Sequence, residues 1–481
     1  MGRAEMSETR SDQKDPMVNR CLFVAHTFPP IAAVGIYRTL RFMHHLPEFG
    51  WEGMVVAMEP DAAIDHPVDQ ALCSRIPSGT IVNRVGVWRP LDRFIEWLKG
   101  FVRSARCTLG KQAESDQPAT NTVTSHLASD AENHVTQRTK MAIITDWLRG
   151  VRDILFSTPD NCVNWVGPAV LAGCRLVRRY RPKVILSSGP PHSAHLAGLI
   201  IHWLTRVPLI LDLRDPWASD EWLGKEDYRA RMWMQKKIER LCVRFAACVV
   251  LNTERLRQNF IDTYPQKWQH KFVAIPNGVD DHIVKPVAEY LSLAPPRKED
   301  TPLTLCHPGS IYWHRSLMPM IEAIRSLKQS GARIQFNQIG LVDHPPDLAE
   351  RLIKWDLPEV CLHGRLSHEE TLKRMAESDV LVVIQPMSTL QVPAKLYEML
   401  VFRKPILVIT KDGATADLIK EFDIGLIADP MDPLKIASAI RELDSQTKNN
   451  SIRGDWDRAI RTFDSKNLTS RLVNVMTKVT N

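Results

Sequence analysis

The 481-residue chain is 44% hydrophobic and 24% charged, enough apolar material for roughly two to four packed domains, which excludes a wholly disordered, collagenous or disulfide-scaffold protein. Its 62 Lys+Arg against 55 Asp+Glu leave a net charge of +7, a mild excess that favours anionic partners without requiring nucleic acid. Nine cysteines, an odd number with no C-x-x-C pair, read as the reduced thiols of a cytosolic protein.

Taken in chain order, residues 1–19 are a polar, charged tail, and Arg20 precedes the first apolar run. That pattern predicts a cytoplasmic start with neither signal peptide nor anchor. Short apolar, β-rich runs follow at 21–26, 53–58, 184–187, 209–213 and 248–252, separated by stretches of helical length. The longest apolar stretch, around 194–213, is interrupted by His195, His202, Arg206 and Pro208. A bilayer span needs about 20 apolar residues, so this stretch reads as helix, turn and buried strand. A second series of runs lies at 303–307, 333–339, 360–363, 380–384 and 405–409. The alternation predicts an α/β protein of two similar domains with parallel sheets, 20–280 and 303–445, joined by a proline-rich, charged linker at 281–302 and followed by a helical segment at 446–481.

One stretch belongs to neither sheet. Residues 104–139 are poor in large apolar side chains and rich in Ser, Thr, Ala, Asn and Gln, which reads as a mobile insertion. It is flanked by two basic amphipathic segments, 88–106 and 141–156, whose spacing fits either core helices or helices lying on an anionic membrane surface.

The candidate functional residues follow the runs. After the first strand, His26, a Pro29-Pro30 turn and Gly35 lead into a helix near Tyr37, whose free N–H groups make an anion-receptive loop or an ordinary connection. In SSGPPHSAHL, His192 sits at the carboxyl end of a strand, where α/β sheets bind ligands. The next strand ends in DLRDPW, and the cost of idle charge there favours Arg214 and Asp215 as site residues over a structural ion pair. In the second half, Gly309 and Ser310 follow a strand and Arg315 stands where the next helix should begin, a glycine for close backbone approach and a planar fork for a diphosphate. Helix spacing from Pro393 puts Lys395 and Glu398 on one face, as an exposed ion pair or as a cation for phosphate with a carboxylate for sugar hydroxyls.

The order of these pieces, FPP with Gly35, RDPW, IPNGVD, HPGSIYWHR, VCLHGRLSHEE and PAKLYEMLVFRKPILVI, resembles the family-four glycosyltransferases of the GT-B fold over most of residues 20–440. The PPHSAHL and DLRDPW pieces look like the branch found in bacterial surface-polysaccharide clusters. The resemblance implies two Rossmann-like domains facing across a cleft, the N-terminal one holding a lipid-linked or glycan acceptor. The C-terminal one would hold a nucleotide-sugar through Gly309, Ser310, Arg315, Pro393, Lys395 and Glu398, with the base near His363 and Gly364. It further implies retaining transfer with no cofactor and no metal, in which His192 and Asp215 orient or deprotonate the acceptor hydroxyl, at a cytoplasmic site or on the inner face of the plasma membrane.

The family often carries two glutamates with seven residues between them; here the second is Glu398 and the first position is Leu390. Leu390 suggests a non-catalytic nucleotide-sugar-binding relative as one alternative, and a nucleotide-sugar epimerase sharing the GT-B fold is another. Asp455-Trp456-Asp457 imitates a metal-binding Asp-x-Asp but follows no buried strand, and reads as helix surface. His44-His45 lacks further ligands at suitable spacing, so zinc is not expected, and no basic aromatic stripe points to nucleic acid.

Overall fold

A computed structural model describes residues 18–63, 66–88, 158–218, 229–294, 301–312, 315–343 and 345–481. The first sheet is built from β1 (Asn19–Ala25), β2 (Trp51–Met58), β3 (Ile81–Val85), β4 (Val184–Gly189), β5 (Leu209–Leu213), β6 (Cys248–Leu251) and β7 (Phe272–Ala274). All pairings are parallel, in the order β3-β2-β1-β4-β5-β6-β7. The second comprises β8 (Leu303–Pro308), β9 (Ile334–Ile339), β10 (Val360–Leu362), β11 (Val380–Gln385), β12 (Ile406–Thr410) and β13 (Gly425–Ala428). It too is parallel, in the order β10-β9-β8-β11-β12-β13.

Both sheets are covered on both faces, and the two-residue period of a strand divides each between two cores. In β1, Leu22 and Val24 face one core while Cys21, Phe23 and Ala25 face the other. In β12, Ile406 and Val408 go one way, Leu407 and Ile409 the other. These are two Rossmann-like domains, as the sequence predicts.

Part of the stretch 281–302, expected to link the domains, is helical. Residues Asp281–Leu293 form a helix whose Ile283 and Val287, four apart, are buried in the core of the second domain. Asp280 starts it by accepting from the His282 N–H, and Pro286 lies within it. Of the prolines and charges that suggested a linker, Lys285, Pro286 and Glu289 lie along a helix that has one apolar stripe, and residues 295–300 lie outside the described ones. The tail of the chain returns to the first domain. Helix Ser465–Thr480 buries Leu468, Leu472, Val473 and Met476 against the core that contains Cys21 and Phe23, and Lys466 reaches Glu48 at 2.6 Å.

The insertion at 104–139 and both amphipathic segments, apart from Trp88, lie outside the described residues. Among the described residues, no helix is long and apolar enough to cross a membrane.

Candidate active site

Strand order decides where the site lies. In the first sheet β1 is flanked by β2 and β4, and in the second β8 is flanked by β9 and β11. Connections leaving such neighbouring strands diverge, opening a crevice at their carboxyl ends. Gly35 follows β1, His192 follows β4, Gly309 follows β8, and the 388–393 loop follows β11. The two crevices face each other, because Thr253 Oγ1 of the first domain donates to the Leu390 carbonyl and Arg255 pairs with Asp417 at 2.5 Å and Asp412 at 2.9 Å in the second.

On the first-domain side the centre is an ion pair that the sequence reading did not select. Arg38, in the first turn of helix Ile36–His45, donates to both carboxylate oxygens of Asp212, with Nη2 to Oδ1 at 2.8 Å. Both residues are buried, and Ser188 Oγ donates to Asp212 Oδ2 at 2.8 Å. Arg38 also reaches the carbonyls of Ile275 and Pro276 at 2.8 and 2.7 Å, tying β1, β4, β5 and the loop after β7 into one frame. Burial alone would raise the Asp212 carboxyl, but the Arg38 charge and the hydrogen bonds outweigh it and hold it below its usual range. The available signal was a lone aspartate inside the buried strand LILDL, three residues before Asp215.

The predicted residues surround this frame. Arg214 is buried, donates to the Pro190 carbonyl and lies directly against Gly35. A Cβ on Gly35 would collide with the Arg214 guanidinium, so the glycine is there for the arginine and not for an unusual φ, which is −67°. Gly35→Ala should therefore displace Arg214 and cost roughly 1–3 kcal/mol, the range for overpacking, read by urea unfolding; an unchanged midpoint would reject that contact. His192 stands at the N-cap position of helix Ser193–Thr205, makes no capping side-chain hydrogen bond, and stacks on Trp217, centroids 4.6 Å apart and planes 4° from parallel. Burial, then His195 and Arg214, push its pKa well below the ordinary value, so it is a neutral imidazole. Asp215, half-buried, has its pKa raised by burial against the opposing pull of Arg214. His26 lies deeper than the sequence suggests: its ring sits edge-on to Trp165 at 5.1 Å, and burial pushes its pKa down to about 4.

On the second-domain side the loops form a ladder. The Gly309 carbonyl accepts from Gln338 Nε2 at 2.7 Å, and Gln338 Oε1 meets His307 Nδ1 at 2.8 Å. Gly340, at φ +111°, comes so close that a Cβ there would lie 2.8 Å from the Gly309 carbonyl carbon. Ser310 Oγ accepts the Leu341 N–H at 3.2 Å, and the Gly340 N–H donates to the Gly364 carbonyl at 2.6 Å. His363 Nε2 meets Asn337 Oδ1 at 2.8 Å. Gly309, Ser310, His363 and Gly364 are thus brought together through Gln338 and Gly340, which the sequence reading missed. Arg315 is not at a helix start: the helix begins at Met318, and Arg315 lies in the preceding loop with its guanidinium 5.3 Å from the Tyr312 ring centroid. Pro393 immediately precedes helix Ala394–Met399, where Lys395 Nζ lies 2.8 Å from Glu398 Oε2. The charge of Glu398 is felt by Tyr37 and Arg41 of helix Ile36–His45, which places the pair in the cleft.

Beside these groups a cavity of about 590 Å³ lies between the domains, walled by Trp217, Trp233, Phe260, Tyr264, Thr389 and Leu390 among others. Leu390 packs against the core of the first domain and lines this cavity. Glu239 lines the same cavity; it is buried and accepts from the Tyr264 hydroxyl and, at 2.8 Å, from the Ala218 N–H, which fixes the strand end that carries Trp217.

The decoys are structural. Asp455 caps the Arg458 N–H, Asp457 pairs with Arg403 at 2.6 Å, and Trp456 between them is buried. His45 bridges Glu48 and Asp281 at 2.6 and 2.7 Å. Among the described residues, no group of three or more His, Cys, Asp or Glu could hold a metal ion.

Residues 147–278 match the model of the glycosyl transferase 4-like domain, and residues 302–446 match that of glycosyl transferases group 1. Each of these two segments is thus similar to a glycosyltransferase domain. No curated protein sequence matches it. Among solved structures it is similar to Anabaena Alr3699/HepE in complex with UDP and glucose, at 14% identity and a TM-score of 0.58, covering 95% of this chain and 99% of that one. A glycosyltransferase from Rickettsia africae matches at 10% identity and TM-score 0.58, over 96% and 98% of the two chains. Sucrose-phosphate synthase from Thermosynechococcus elongatus matches at 13% identity and TM-score 0.59, again over 96% and 98%. Likeness at this identity is likeness of fold.

Proposed function

We propose that the chain moves a sugar from a nucleotide-sugar to a lipid-linked or glycan acceptor, with retention of configuration and without a metal, in cell-surface polysaccharide biosynthesis at the cytoplasmic face of the membrane. The observation that carries this reading is the Lys395–Glu398 pair, held in the cleft beside the strand-order reversal of the second sheet. As the bond to the diphosphate breaks, the sugar carbon becomes oxocarbenium-like and charge collects on the leaving phosphate. Lys395 and Arg315 supply fixed positive charge for it, and Glu398 accepts hydrogen bonds from hydroxyls of the donor. The ladder of Gly309, Ser310, His363 and Gly364 supplies a wall with little side chain, where a nucleotide can approach the backbone. The UDP in the Anabaena structure makes a uridine nucleotide the first donor to try.

On the acceptor side the raised pKa of Asp215 suits a proton acceptor, and the neutral His192, clamped on Trp217, suits a group that orients the hydroxyl. His192→Ala and Asp215→Ala should each lower kcat for transfer by a factor on the order of 100, with donor affinity nearly unchanged, because the donor is held by the other domain. Collapse of donor binding in a folded variant would mean that the domain roles are reversed. Leu390 favours a second reading, a relative that binds nucleotide-sugar without turning it over, since the C-terminal domain presents an apolar wall at that point.

A further inference from the structure

Three helices lie side by side on one face of the first sheet: Val166–Tyr180, Ser193–Thr205 and Arg229–Phe245. Their inner sides bury Val170, Leu176, Ala197, Ile201 and Val243 in a single core. Their outer sides are basic and apolar at once. Arg175, Arg178, Arg179, Arg206, Arg240 and Arg244 are exposed. None of the three helices contributes an exposed carboxylate, for the first two contain no Asp or Glu and the third only the buried Glu239. Between the arginines, Leu204 is 66%, Trp233 62% and Leu171 60% exposed, with Trp203, Leu241 and Phe245 also open to solvent. The Trp203 and Phe245 rings meet edge to face at 5.2 Å, which makes the apolar surface continuous across two helices.

We propose that this three-helix face docks the protein on an anionic lipid bilayer. Lipid phosphates attract each basic side chain near the surface, while indole, phenyl and leucine side chains gain by entering the headgroup region. A nucleic acid would meet the same cations but would gain nothing from Leu171 and Leu204, which favours the bilayer. The purpose of docking rests on the lipid-linked acceptor proposed above: helix Arg229–Phe245 carries Trp233, Lys237 and Arg240 on the wall of the interdomain cavity as well, so the lipid face and the cavity share one helix. An acceptor anchored in the bilayer reaches the cleft along it.

The test is sedimentation of the full chain, without donor, with phosphatidylcholine vesicles and with the same vesicles containing phosphatidylglycerol. The variants are the pair Arg178→Glu with Arg179→Glu, and the pair Trp203→Ser with Leu204→Ser, none of them assigned to transfer; Arg244→Glu alone serves if either pair fails to fold. Binding to the anionic vesicles only is expected, lost in high salt, with the charge-reversed pair partitioning about tenfold more weakly or less still and the apolar pair also weakened. Equal binding to neutral vesicles, unaltered binding by folded variants, or preference for duplex RNA over anionic vesicles would each overturn the proposal. Because donor is absent, loss of docking leaves the transfer reading standing, and a chain that docks but transfers nothing leaves the docking reading standing.

Discussion

Lys395→Ala and Arg315→Ala are each expected to weaken nucleotide-sugar binding by about 1–3 kcal/mol, the range for hydrogen bonds to charged groups, as measured by titration calorimetry. Lys395 is oriented by Glu398 at 2.8 Å, and among the described residues no carboxylate pairs with Arg315, whose guanidinium rests on Tyr312. Each therefore offers a charge that a diphosphate can take without dismantling the fold. Unchanged donor affinity in both variants would remove them from the donor site.

The largest effect on stability is expected at Arg38. Arg38→Met leaves Asp212 buried without its partner, and removing one member of a buried pair costs about 3–5 kcal/mol. Urea unfolding of Arg38→Met, of Asp212→Asn and of the double variant gives the coupling between them. A loss below about 1 kcal/mol for Arg38→Met would show that the pair is not the frame described here. The pH dependence has a definite sign. The folded Asp212 carboxyl lies below its ordinary value of 3.8, so its contribution is fully present above that value and is lost as pH falls below it through the folded value. Asp212→Asn should flatten this acid limb of the stability curve.

The sequence revealed most where one residue type has one physical reading. Ten of the apolar runs became strands within a few residues of their expected bounds, because continuous runs such as LILDL and VLVVIQ suit only a sheet covered on both faces. The three strands it did not predict, β3, β7 and β13, are the edges or ends of their sheets, five, three and four residues long, and carry weaker patterns. Helix Asp281–Leu293 was read as a linker because Pro286 and the charges around it mask a stripe of Ile283 and Val287. At the site, residues next to strand ends could be found one at a time. The pairings between distant segments, Arg38 with Asp212, Gln338 with Gly309 and Thr253 with Leu390, could not, since each depends on strand order and on how the domains face each other. Gly35 illustrates the difference: its place after a strand suggests an anion loop, whereas its neighbour in the fold is Arg214.

Incubation of the pure protein with a panel of nucleotide-sugars, with and without a membrane-lipid extract as acceptor, followed by mass spectrometry of both products, asks whether the protein transfers a sugar. The expected result is an acceptor heavier by one glycosyl unit, formed together with an equal amount of free nucleoside diphosphate, and formed more slowly by Lys395→Ala at subsaturating donor. Donor that binds but is returned unchanged, or donor converted to its epimer in the absence of any acceptor, would contradict it.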